Sequence, residues 1–140
     1  MRGDEPMAIA KRANHVSFAV TDVERARGFY EGVLGFEEIE RPNFGFPGAW
    51  YRVRNVQVHL IGPLPGFEVG TPPPMLSPVA NHVAFEIDDY AETRAALRGH
   101  GLEVFETGEQ MGQLFISDPD GNVIELIVPR EERRPSPPAG

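Results

Sequence analysis

Asn14-His15-Val16-Ser17-Phe18-Ala19-Val20 returns sixty-seven residues later as Asn81-His82-Val83-Ala84-Phe85-Glu86-Ile87, with Asn, His, Val and Phe in register. Two copies at so long a spacing do not make a solenoid; they make one domain from two similar halves. Each copy alternates as a strand does. Val16, Phe18 and Val20 share one face of the first copy, and Val83, Phe85 and Ile87 share one face of the second. A period of two therefore turns His15, Ser17 and Ala19 to the other side, and likewise His82, Ala84 and Glu86.

Both copies run into a helical pattern. Thr21-Asp22-Val23-Glu24 spells a capping box; Val23, Ala26, Tyr30, Val33 and Leu34 follow at helical spacing, and Gly35 can close the helix. In the second half Asp88 or Asp89 caps a helix through Leu97 that ends around Gly99 and Gly101. Strands are expected at 36–40, 50–54 and 56–61, and again at 102–106, 113–117 and 122–128. The last two are joined by the turn Asp118-Pro119-Asp120-Gly121. The expected organisation is a flexible arm over 1–12 and a single α+β domain over 13–129, built from two βαβββ modules at 13–61 and 80–129. A connector over 62–79 holds six prolines, and a charged, Pro-rich tail over 130–140 reads as disordered.

Composition excludes several partners. A net charge of −8, from 13 basic against 21 acidic residues, argues against nucleic acid and anionic membranes, which need a basic face. The absence of cysteine removes disulfides, thiolate metal sites and thiol nucleophiles. No apolar run approaches the roughly 18 residues of a membrane span, and the first six residues hold no signal-peptide core. The expectation is a cytoplasmic protein whose partner is a small molecule.

The repeat also carries the chemistry. Aligned with an offset of 66, Val58-His59-Leu60-Ile61 falls on Ile124-Glu125-Leu126-Ile127, so His59 and Glu125 occupy equivalent positions. Their apolar neighbours (Val56, Val58 and Leu60; Ile124, Leu126 and Val128) form the helix-facing side, which turns His59 and Glu125 the other way, as it does His15 and His82. A lone strand histidine is ordinarily hydrogen-bonded or solvated. Three histidines and a glutamate at matching repeat positions can instead converge on one ion. Imidazole with carboxylate suits Zn²⁺, Fe²⁺, Mn²⁺, Co²⁺ or Ni²⁺, and an open coordination position would polarise a bound oxygen. His59 could alternatively contact substrate. Ser17, Phe44, Trp50, Arg52, Met111 and Gln113 are candidate substrate contacts, with Phe46 and Met75 as further wall residues. Arg52 and Arg54 could bind an anionic substrate or form a solvated face, Glu86 could line the cup or stand on its rim, and His100 reads as solvated.

These residues resemble the vicinal-oxygen-chelate superfamily, which includes glyoxalase I, fosfomycin-resistance proteins, methylmalonyl-CoA epimerase, extradiol dioxygenases and bleomycin-resistance proteins. The resemblance spans roughly 13–129 and rests on the His-initiated first strand of each half, Gly35-Phe36, and Asp118-Pro119-Asp120-Gly121-Asn122 leading to Glu125. It implies the glyoxalase/bleomycin-resistance/dioxygenase fold, with two βαβββ modules forming a cupped mixed sheet around a divalent metal, helices outside. It also implies a homodimer, with His15 and His82 as first-strand ligands and Glu125 as the last-strand carboxylate. His59 stands where glyoxalase I carries Glu and the epimerase Gln. Phe18 and Ala19 stand near the Arg of glutathione-dependent glyoxalases, and Ser17 partly matches a fosfomycin-resistance Thr. The function expected from the resemblance is a metal-dependent, glyoxalase-like enzyme that chelates a small oxygenated substrate, with Glu125 or a metal-bound hydroxide as base. The alternative is a non-enzymatic groove that sequesters an apolar ligand or antibiotic. The 18-residue connector permits the modules to close within one chain or to exchange across a dimer.

Overall fold

The structure, a computed structural model, describes residues 8–133. The first module comprises β1 (His15–Ala19), α1 (Val23–Tyr30), β2 (Glu37–Ile39), β3 (Gly48–Val53) and β4 (Val56–Ile61). The second comprises β5 (His82–Glu86), α2 (Tyr90–Gly99), β6 (Phe105–Gly108), β7 (Gln113–Ser117) and β8 (Val123–Ile127). The βαβββ order holds in both. Their strands form two separate four-stranded mixed sheets, β1-β4-β3-β2 and β5-β8-β7-β6. In each sheet the first strand runs parallel to the last and the other pairings are antiparallel.

β4 and β7 occupy the residues that the alternating pattern marks. β2 and β6 begin later than expected, for local reasons. Phe36 turns inward to meet Phe85 edge-on at 5.0 Å between ring centroids. Leu102 is still closing α2, its N–H donating to Leu97 O at 3.3 Å after Gly101 has taken a positive φ of 76°. The capping box is corrected as well. Asp22, not Thr21, caps α1 by accepting from Arg25 N at 3.1 Å. The N–H and hydroxyl of Thr21 donate instead to Asp120 Oδ1, at 3.2 and 2.7 Å. A contact across 99 residues has won over a local one. Asp89 caps α2, accepting from Glu92 N at 2.8 Å.

At the far end Arg130–Glu132 forms a 3-10 helix, and Arg133 Nε donates to Val128 O at 2.8 Å. The disorder read from composition is therefore corrected for residues 130–133; residues 134–140 of that tail and 1–7 of the N-terminal arm lie outside the described residues. No helix among the described residues is long and apolar enough to cross a membrane.

One core serves both modules. Ala49, Tyr51, Val58 and Leu60 of the first sheet and Leu114, Ile116, Ile124 and Leu126 of the second are buried in a single cluster. Ala26, Phe29 and Tyr30 of α1 and Tyr90 and Leu97 of α2 belong to the same cluster. Burial of this size supplies most of the driving force for folding. A buried polar bond joins the halves within it. The Tyr30 hydroxyl donates to Asp118 Oδ2 at 2.7 Å, and Asp118 also accepts from the N–H groups of Asp120 and Asn122 and from Asn122 Nδ2. The Asp118 carboxylate thus has four donors, the condition under which a buried charge is tolerated. The connector packs on the same turn: Gly121 has φ 87°, and a Cβ there would fall 2.2 Å from Pro72 Cβ. Because the core takes the helix-facing side of both sheets, the opposite faces look away from it.

Candidate functional site

Strand parity puts His15 and His59 on the outward face of the first sheet, and His82 and Glu125 on that of the second. The register agrees: His59 lies beside Ser17 and Trp50, and Glu125 beside Ala84 and Phe115. The structure brings the four together as two pairs. The His15 and His59 rings stack at 4.2 Å between centroids and 17° between planes. His82 Nε2 lies 2.9 Å from Glu125 Oε1. Among the described residues no three His, Asp, Glu or Cys side chains gather where they could hold a metal ion. Convergence of all four within one chain is thus not what this arrangement gives, because the shared core turns the two faces apart.

Each pair is held from behind. His82 Nδ1–H donates to Ala80 O at 2.7 Å, which leaves Nε2 directed at Glu125. Glu125 is 5% exposed, and its second oxygen accepts from Gln113 Nε2 at 3.2 Å. Phe115 underlies His82 edge-on, with centroids 5.3 Å apart. In the other pair His15 Nδ1 donates to Asn14 Oδ1 at 2.7 Å, freeing Nε2. His59 is sandwiched: Trp50 lies parallel to one face at 4.0 Å and 4°, and His15 covers the other. Its Nε2 meets Gln57 Oε1 at 2.9 Å. Burial, then the neighbouring His15 and Arg41, lowers the His59 pKa. The shift favours the neutral ring, the form that a ligand or a stacking partner uses.

The donor chemistry fits a metal. A neutral imidazole has one N–H, and that of His82 is committed to Ala80, so Nε2 and the Glu125 carboxylate face each other as two lone-pair donors. A proton or a cation must lie between such atoms. Histidine ligands anchored through their other nitrogen, and a ligating carboxylate held by an amide, are the usual supports of a metal site. His15, His82 and Glu125 meet this description. His59 meets it less well, because both its faces are covered and one edge is engaged.

The remaining candidates divide between the two faces. Ser17, Trp50 and Arg52 lie on the first, in register with His59 or its neighbour Gln57. Phe44, 51% exposed, bridges Phe46 and Trp50 at 5.8 and 6.0 Å between centroids. Met111 is exposed between β6 and β7. Gln113 turns to Glu125, so its side chain holds the carboxylate. Sequence reading missed Asn14, Gln57 and Phe115. Asn14 was legible as the first residue of the repeat, Gln57 as the same-parity neighbour of His59, and Phe115 as the counterpart of Trp50 one module on. A cleft of about 360 Å³ is lined by residues 69–73, Asn81 and 120–123 and includes none of the four side chains.

Residues 12–126 match the Glyoxalase/Bleomycin resistance protein/Dioxygenase superfamily. A protein named Glyoxylase I 4, from Arabidopsis thaliana, is 35% identical over 120 residues, covering 81% of this chain and 68% of that one. The mitochondrial methylmalonyl-CoA epimerase of Bos taurus is 28% identical over 141 residues, covering 89% and 78%. A crystal structure from Bacillus anthracis, assigned to the glyoxalase family, superposes with a TM-score of 0.70 at 26% identity, covering 88% of this chain and 98% of that one. Fold, repeat and sequence match agree, and the chain belongs to the glyoxalase/bleomycin resistance/dioxygenase superfamily.

Proposed function

We propose that the protein is a metal-dependent enzyme acting on a small oxygenated substrate, and that each active site is completed across a homodimer. The His15–His59 face of one copy would then meet the His82–Glu125 face of a second copy. The carrying observation is the pair of half-sites, each with anchored donors, on faces turned away from the shared core. A twofold axis can bring such faces together twice, since an isologous interface presents both surfaces to both partners. Relatives named as a glyoxylase and an epimerase support an enzyme over a passive groove.

His15, His82 and Glu125 would hold the ion, with His59 as a fourth donor or a substrate contact. When bound, a divalent metal supplies Lewis-acid polarisation of two neighbouring substrate oxygens. The chain does the rest. Asn14 and Ala80 fix the two rings through their Nδ1 atoms, so that neither has to reorient during turnover. Gln113 steadies Glu125 through Oε2, which holds the carboxylate, paired with His82 through Oε1, where it would accept and return a substrate proton. Trp50 covers one face of the buried His59, and Phe115 backs His82 edge-on.

A mixing experiment tests both claims. Purified His15→Ala and Glu125→Ala are each expected to lose bound metal. Equimolar mixing with subunit exchange gives half heterodimers, each with one intact shared site, and so restores about a quarter of the wild-type metal and turnover. No recovery after demonstrated exchange refutes the shared site. A wild-type protein that takes up none of Zn²⁺, Fe²⁺, Mn²⁺, Co²⁺ or Ni²⁺ refutes the enzyme and leaves sequestration of an apolar ligand.

A further inference from the structure

The first sheet carries a cation that neither the fold nor the proposed metal chemistry uses. Arg41 lies against both the Phe44 and Phe46 rings, its Cζ 5.1 and 5.0 Å from their centroids, which are 5.8 Å apart. A Cβ added at Gly48 would stand 2.7 Å from Arg41 Nε and 2.8 Å from Cζ. The guanidinium therefore fills the space that a side chain on β3 would take. Gly48 shares the outward face with Trp50 and Arg52, two and four residues along the strand. Arg41 thus lies along the face that bears His59 and His15. The rings form one continuous column: Phe46, Phe44, Trp50, His59 and His15, with successive centroids 5.8, 6.0, 4.0 and 4.2 Å apart. Arg41 sits at its outer end.

Acids are not scarce in this chain, which has 21 against 13 bases. Arg25, Arg27, Arg94 and Arg98 each have a carboxylate partner. Among the described residues neither Arg41 nor Arg52 has one within 4.0 Å, a condition they share with Lys11, Arg12, Arg54, Arg130 and Arg133, so it is the aromatic seat that sets Arg41 apart. A positive charge seated by two rings, over a backbone gap, and left without an internal counter-ion is arranged to meet an external anion.

We propose that Arg41 is a specificity determinant: the substrate is a small oxygenated carboxylic acid whose carboxylate pairs with Arg41 while its planar or apolar body lies on Phe44 and Trp50. The guanidinium fork suits a carboxylate held by two parallel bonds, and the aromatic column suits an aryl or enolisable body. This deepens the proposed function and rests on reading the same face as the substrate pocket.

Trp50 is the chain's single tryptophan, so its fluorescence reports binding directly. The probes are benzoylformate and its uncharged methyl ester, titrated into the purified full-length protein. Wild type is expected to bind the acid about tenfold or more tighter than the ester, the usual worth of a charge-assisted bond. In Arg41→Gln and Arg41→Met the preference is lost while ester affinity stays, and in Arg41→Lys it is kept at reduced size. Equal preference in wild type and either neutral variant overturns the proposal. So does a wild type that binds neither probe, or both alike. Metal content measured on the same samples separates the two readings. Full metal without a charge preference refutes the role of Arg41 alone; an intact preference in metal-free protein refutes the metal enzyme alone.

Discussion

Tyr30→Phe tests the bolt between the modules. The substitution removes one oxygen from a fully buried ring and leaves the packing against Phe18, Phe29 and Phe36 in place. Asp118 is itself 4% exposed, so no bulk water can replace the lost donor at Oδ2, which keeps only Asn122 Nδ2. A hydrogen bond to a buried charge is worth about 1.5–3 kcal/mol, and the loss should fall in that range. Tyr51→Phe is the internal control. Its hydroxyl donates to Glu31 at the same 2.7 Å, but Glu31 is 39% exposed at its side chain and also bound by Arg27. Water can solvate that carboxylate, so about 0.5–1 kcal/mol is expected. Urea unfolding at fixed protein concentration reads both. With a slope of about 2 kcal/mol per molar for a chain of this size, Tyr30→Phe lowers the midpoint by about 1 M and Tyr51→Phe by less than half of that. Equal shifts in the two variants, or a Tyr30→Phe loss below about 0.5 kcal/mol, would refute the reasoning that burial of Asp118 sets the magnitude.

Three further outcomes follow from the geometry. Burial, then Asp118 for Tyr30 and Glu31 for Tyr51, raises both phenol pKa values; the unfolded chain releases these protons first, so stability falls as pH rises above about 10, by up to about 1.4 kcal/mol per pH unit for each tyrosine. Tyr30→Phe should remove one such share of the alkaline slope in urea titrations run between pH 9 and 11, and an unchanged slope contradicts the assignment. Gly121→Ala, with φ 87° and Pro72 in the way, should cost at least about 2 kcal/mol and lower the melting temperature, whereas an unaltered melting temperature would mean that the connector does not pack there. Chelation of metal-loaded protein should lower the melting temperature of wild type but not of Glu125→Gln, checked by calorimetry with and without EDTA; equal shifts in both would place any bound metal elsewhere.

Much of this was legible in the chain because the repeat is read by parity. A strand of period two fixes which side of its sheet His15, His59, His82 and Glu125 occupy, and the register of β4 and β8 agrees with it. What parity cannot fix is how one sheet sits on the other. That depends on Phe36 meeting Phe85 and Tyr30 reaching Asp118, contacts between residues 49 and 88 positions apart. The same limit explains Thr21, whose local signature was a cap and whose partner lies a whole module away. Arg41 escaped notice because its role comes from what Gly48 lacks, and a missing side chain leaves no pattern to read.

The common interior has a further implication for the link between the halves. Cutting the Pro-rich stretch after Ile61 and before His82 would leave two fragments, each with an apolar sheet face that water cannot satisfy. Those fragments should stay together after the cut and find one another again when expressed apart. Peptide continuity here sets one-to-one dosage and local concentration, while cohesion resides in the buried seam.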